Sequence, residues 1–185
     1  MTIYSTNIDD KIIVEANNHS KIRMNFEYDR FKLSYKVRRS MILIGTIGQL
    51  IFKKFLIQNK IKHEFEYQAG KFDSFDFKIN DKIFEIKTSG YNNEFHKLNL
   101  LYSKDQYNDG LKKDFFCCIQ IFINGYNKIN KTIDLKICNK ASIVGGILYK
   151  DIINFKNNKK FYGDDYKVPL KKLLDVKNLL NISHF

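Results

Sequence analysis

The stretch Phe75-Asp76-Phe77-Lys78-Ile79-Asn80-Asp81-Lys82-Ile83-Phe84-Glu85-Ile86-Lys87-Thr88 decides how this chain is read. Phe75, Phe77 and Ile79 alternate with Asp76 and Lys78, the period of a strand with one buried face. Asn80-Asp81 follows, a pair that tolerates turn conformations and hydrogen-bonds its own backbone. The segment from Lys82 to Thr88 is therefore expected to return antiparallel to the first strand. On it Ile83, Glu85 and Lys87 share one face, while Phe84 and Ile86 take the other. Folding the hairpin brings Asp76 beside Glu85 and Lys87.

Upstream, Ser40 to Asn59 carries Leu43, Ile47, Leu50, Ile51, Phe55 and Leu56 at helical spacing, which predicts a helix with a buried stripe. Phe31 to Val37 alternates and predicts a strand or hairpin, with Arg38 and Arg39 in a charged turn before the helix. Ile61 to Tyr67 alternates as well, and Gly70 and Asp73-Ser74 mark turns. Downstream, Leu98 to Gly110 predicts a short helix and Phe115 to Ile123 an interior strand with both faces covered. Short strands are expected at Ile133 to Ile137 and Ile143 to Tyr149, with a turn or bulge at Gly145-Gly146. The tail from Lys156 is weakly periodic, and Pro169 precedes a short helix over Leu170 to Leu180. The whole reads as one α/β or α+β domain with a mixed sheet: a core over 40–150 with extensions at 1–39 and 151–185.

The chain has 185 residues and a formal charge of +12, which favours a polyanionic partner. Lys supplies most of that charge, beside abundant Asn, Ile, Phe and Tyr. A·T-rich coding sequence yields such a composition by itself, so charge points to nucleic acid no more strongly than to a solvated basic surface. Cys117, Cys118 and Cys138 lack the paired spacing of a disulfide framework or zinc cluster and read as reduced packing residues. The start MTIYSTNIDD has neither the basic region nor the apolar core of an export signal. Lys53, Lys54 and two glycines interrupt the apolar run from Met41 to Leu56, which argues against a membrane span. An intracellular protein, cytoplasmic or nucleoid-associated, is expected. The four His have no metal-ligand spacing, and no Gly-rich phosphate loop is present.

Asp76 and Glu85 are suitable ligands for a hard cation such as Mg²⁺, with Mn²⁺ able to substitute, and the Ile86 carbonyl is a natural third. Such an ion supports phosphodiester hydrolysis by activating water and relieving charge at phosphate. Lys87 adds a cation that positions the water or offsets developing charge. The acidic-x-Lys triplet alone is weak, since it recurs at Asp9, Asp134, Asp165 and Asp175. Only Glu85 sits on a strand joined by a tight turn to another carrying a second carboxylate.

From Gly45-Thr46-Ile47-Gly48-Gln49 through Asp76 to Glu85-Ile86-Lys87-Thr88 the chain resembles the PD-(D/E)XK nuclease superfamily, over about its middle quarter. The resemblance implies a restriction-endonuclease-like core with a mixed four-stranded sheet flanked by helices, Mg²⁺-dependent hydrolysis, and DNA as the usual substrate. It places Asp76, Glu85 and Lys87 at the family's catalytic positions. Ser74-Phe75 precede Asp76 where many members have Pro. Gln49 stands where Glu is frequent, which weakens a second metal position, and Glu64 or Glu66 is the candidate to compensate. Gln106 is similar to polar residues that some members place near the site. The expected function is a metal-dependent DNA endonuclease, with Arg38, Arg39, Lys78, Lys97 and Lys104 contacting phosphates. One site per chain makes a homodimer the simplest way to cut both strands. The competing readings are a nucleic-acid-binding protein of the same fold with weak or no cleavage, and an interaction protein whose basicity is compositional.

Overall fold

The computed structural model describes residues 2–25, 32–65, 75–92, 94–161 and 164–183. Phe31, Glu66, Tyr67, Gly70 and the Asp73-Ser74 turn lie outside them. The chain opens with strand β1 (Tyr4–Asn7) and helix α1 (Asp10–Arg23), whose first turn is capped by the Asp9 carboxylate accepting from the Ile12 N–H. Helix α2 (Tyr35–Gln58) follows. It starts earlier than Ser40 because the Ser34 hydroxyl accepts from the Val37 N–H and so caps the helix at Tyr35. Tyr35 to Val37 is consequently helical and not strand, and Arg38 and Arg39 lie on α2 and not in a turn.

Strands β2 (Glu64–Phe65), β3 (Phe77–Ile79) and β4 (Lys82–Gly90) come next, then β5 (Asn99–Ser103) and helix α3 (Lys104–Lys112). Leu98 to Gly110 is thus half strand and half helix. Leu100 and Tyr102 are buried while Leu101 is exposed, the alternation of a strand. Strand β6 (Phe115–Ile123) leads to the small ladder of β7 (Tyr126–Asn127) and β8 (Thr132–Ile133), and then to β9 (Lys140–Leu148). The strand expected over Ile133 to Ile137 stops at Ile133. There Asp134 turns the chain, its carboxylate accepting from the Lys136 N–H. The tail is more ordered than its pattern predicts: β10 (Lys156–Phe161) pairs with β11 (Asp164–Pro169), and helix α4 spans Val176–Ile182 after a 3₁₀ turn at Leu170–Lys172.

The architecture is α+β. A six-stranded sheet runs β1-β9-β6-β4-β3-β2, and a three-stranded sheet runs β10-β11-β5. In the larger sheet β4 and β6 are parallel and the other pairs antiparallel. It is mixed, with six strands where the resemblance implies four. Segments 1–39 and 151–185 contribute to the body of the fold: β1 lies on β9, and β11 lies on β5.

Two apolar cores cover the two faces of the large sheet. One joins α1, α2 and α4 to Phe84, Ile86, Cys117, Ile119 and Ile121, and the other joins Leu100, Tyr102, Tyr149 and Val168 to Cys118 and Phe122. Alternate β6 side chains enter opposite cores, so β6 is the interior strand its apolar run predicts. The three cysteines are free and buried. Helix α2 is long and apolar enough to cross a membrane by length and composition. Thirteen of its 24 residues are buried within the fold, as in a core helix.

The bulge expected at Gly145-Gly146 forms. Gln120 pairs with Gly145 and Ile121 with Ile143, so the register shifts there. Gly145 has φ +120, and a Cβ on it would overlap the Leu174 carbonyl oxygen. Next to it the Leu174 N–H donates to the Gly146 carbonyl at 2.7 Å, docking the chain ahead of α4 on the sheet. Gly145→Ala is predicted to cost about 2–4 kcal/mol through strain and overlap. A lowered urea midpoint with unchanged denaturant slope checks this.

Candidate active site

The hairpin that carries the site closes as a two-residue turn. Asn80 and Asp81 have φ of 49 and 61, the signature of the type I′ turn that suits strand twist. The turn sets the pairs Phe77↔Phe84 and Ile79↔Lys82. Asp76 lies just before β3, beside β4 where the β3 ladder has ended. Its carboxylate takes over from the missing strand: Oδ2 accepts from the Ile86 N–H at 2.7 Å, and Oδ1 accepts from Gln49 Nε2 at 2.6 Å. Helix α2 reaches this edge because Gly48 rests on Thr88, where any Cβ would collide with the threonine side chain.

Glu85 and Lys87 project from the face of β4 opposite Phe84 and Ile86. Lys87 Nζ lies 2.9 Å from Glu85 Oε1, and the two side chains are only 15% and 21% exposed. Lys87 Nζ also donates to Gln106 Oε1 at 3.3 Å and sits over the Tyr102 ring, 4.5 Å from its centroid. Tyr102 is held in turn by the Tyr149 hydroxyl, which donates to it at 3.1 Å. The site therefore straddles the sheet edge, with Gln49 reaching it from one layer and Gln106 and Tyr102 supporting it from the other.

Burial raises the Asp76 carboxyl above the ordinary carboxylate range, although Ile86, Gln49, Lys87 and Arg23 all act in the opposite direction. Burial raises Glu85 as well, with Lys87 opposing and Asp76 adding to the rise. For Lys87 burial is the largest single influence and favours the neutral amine. The neighbouring negative charges, Glu85 first, outweigh it and leave the ammonium above its usual range. Lys87 beside both carboxylates, and Arg23 acting on Asp76, do not outweigh the effect of burial on either carboxyl.

The donor set fits a hard divalent cation. Glu85 Oε2 is buried without a hydrogen-bond partner, and each Asp76 oxygen keeps a lone pair beyond its single bond. Among the described residues no three His, Cys, Asp or Glu side chains cluster. Beyond the two carboxylates the described residues offer backbone, such as the Ile86 carbonyl, with solvent and substrate to fill the other positions, as Mg²⁺ prefers.

The other predicted residues are distributed unevenly. Gln49 and Gln106 join the site, though each holds a neighbouring side chain instead of standing open. Arg38 donates to the Met24 carbonyl at 3.2 Å and Arg39 to Asn17 Oδ1 at 2.8 Å, so both fasten α1 to α2. Lys78 pairs with Asp81 at 2.9 Å and with Glu64 at 4.0 Å, near the turn. Glu64, 68% exposed, is thereby committed to Lys78 and away from the carboxylates. Lys97 and Lys104 are exposed, and Lys104 opens α3 close to Gln106. Asp134, which heads another of the acidic-x-Lys triplets, accepts from the Lys136 N–H in its own turn. Sequence reading misses Arg23, whose Nη1 donates to Gln49 Oε1 at 3.4 Å, and Tyr102 beneath Lys87. Arg23 is one of four arginines in the chain and marks the end of α1, but nothing local in the sequence joins it to Gln49.

The raised carboxyls give the protein a defined pH dependence. Between the ordinary and raised values the folded state holds more protons than the unfolded one, so stability contributed by Asp76 falls as pH rises through that window. Asp76→Asn is predicted to remove this part of the slope, seen as the difference between wild-type and variant urea stabilities across about pH 4 to 8. Comparison of the chain with protein-family models, curated proteins and solved structures finds no match.

Proposed function

We propose that this chain is a Mg²⁺-dependent deoxyribonuclease with a restriction-endonuclease-like core of the PD-(D/E)XK type. The observation that carries the reading is the convergence of Asp76, Glu85 and Lys87 at one sheet edge, with Glu85 Oε2 buried and without a partner. Asp76, Glu85 and the Ile86 carbonyl would hold the cation, which when bound supplies an acidified water and charge relief at phosphate. Lys87 carries a persistent positive charge, and Gln106 and Tyr102 orient it toward the reacting phosphate. Gln49 holds Asp76 in place. Lys97 and Lys104 are exposed, and Lys104 opens the helix that carries Gln106, which makes these two lysines the candidates for contact with backbone phosphates. Two copies of the chain would provide one site for each strand of a duplex. The buried free thiols suit a reducing, intracellular setting.

Supercoiled plasmid incubated with Mg²⁺ or Mn²⁺ is predicted to be nicked and linearised, and EDTA to abolish this. Lys87→Ala should slow cleavage by about 10²-fold or more while DNA binding persists. Salt-sensitive binding without cleavage in either metal would favour the non-cleaving nucleic-acid-binding reading instead. Cleavage should also accelerate as pH rises through the elevated carboxyl range, because a protonated Asp76 or Glu85 cannot hold a cation. Lys104→Ala should weaken binding across all sequences and reduce the salt slope by about 0.9.

A further inference from the structure

Gln49 is 6% exposed and stands between Asp76 and Arg23. A guanidinium only donates, so the amide oxygen must face Arg23 at 3.4 Å. The amide nitrogen then points at Asp76 Oδ1, 2.6 Å away. This orientation is dictated by the partners and does not depend on telling oxygen from nitrogen. Gln49 accordingly presents hydrogens, not a lone pair, to the carboxylate cluster. To ligate a cation there it would have to give up both bonds, and Gly48, wedged against Thr88, keeps α2 from shifting to help.

Charge leads to the same conclusion. Two carboxylates, Asp76 and Glu85, face two cations, Lys87 and Arg23, and Arg23 acts on Asp76 against the effect of burial. One divalent ion meets the unfilled capacity of Glu85 Oε2 and Asp76. A second would need another anionic ligand: among the described residues Glu64 lies across from Lys78, the neighbouring Cys118 is a thiol that burial keeps protonated, and no group of three His, Cys, Asp or Glu is placed to hold a metal ion. We infer that the site takes one divalent cation per chain, and that Arg23, acting through Gln49, supplies the fixed positive charge that a second ion would otherwise bring. The inference rests on the nuclease reading and gives α1 a positioning role in it.

The test is the Mn²⁺ stoichiometry of the full chain, followed by electron paramagnetic resonance for wild type, Gln49→Glu, and the Arg23→Gln/Gln49→Glu double variant, each confirmed folded by circular dichroism. Wild type should bind one Mn²⁺ per chain with an uncoupled spectrum. Gln49→Glu should still bind one, because the new carboxylate pairs with Arg23. The double variant should bind two, with an exchange-coupled signal. Two ions in wild type, a second ion in Gln49→Glu alone, or a single ion in the double variant would overturn the inference. Two ions together with plasmid cleavage would overturn it while leaving the nuclease reading intact, and no Mn²⁺ binding at all would overturn both.

Discussion

The Ile86 N–H donates to the Asp76 carboxylate at 2.7 Å, and this bond exists only because a two-residue turn sets the register of β3 on β4. With Asn80 and Asp81 both at positive φ, Phe77 lies opposite Phe84 and Asp76 arrives where the ladder has ended. A slip by one residue would turn Phe77 and Ile79 away from the core and send Asp76 to the other face. Those apolar side chains are almost fully buried, so the core enforces the same register that the site requires. Stability and the placement of the polar cluster therefore depend on one geometric constraint.

The layered construction explains how such a polar site survives at the edge of two apolar cores. Asp76 is satisfied by backbone and by α2, and Lys87 by Glu85, Gln106 and the Tyr102 face. Of the Asp76, Glu85 and Lys87 side chains, Glu85 keeps a buried oxygen, Oε2, without a hydrogen-bond partner. Burial that lifts both carboxyls disfavours their ionised forms in the absence of a counter-charge. An arrangement that costs stability until a cation or phosphate arrives is common at sites that bind charged ligands. The second sheet belongs to this design as well, because β5 carries Tyr102 and leads directly into α3 with Gln106.

The hairpin and the placement of Asp76, Glu85 and Lys87 along it are legible because their signals are local: strict alternation, a turn pair and a face shared by Glu85 and Lys87. The buried stripe of α2 and the interior character of β6 were legible for the same reason. What escaped depends on distant partners or on caps. Strand β5 alternates at Leu100, Leu101 and Tyr102, but its partner β11 lies in a tail whose own pattern is weak. Ser34 caps α2, yet the alternating residues around it invited a strand. Charge alone points Arg38 and Arg39 toward phosphate, and only the packed structure shows that each also bonds to the α1 segment, at Met24 and Asn17. Arg23 reaches the site only once α1 packs on α2, and a single sequence carries no sign of that contact.

Whether Asp76 and Glu85 hold a cation is decided by anomalous scattering from crystals grown with Mn²⁺. The expected result is an anomalous peak bonded to oxygens of both carboxylates, at about 2.1 Å. Ordered protein with the Lys87 to Glu85 pair intact and no peak at this edge, or Mn²⁺ bound instead at another acidic group such as Asp134, would contradict it.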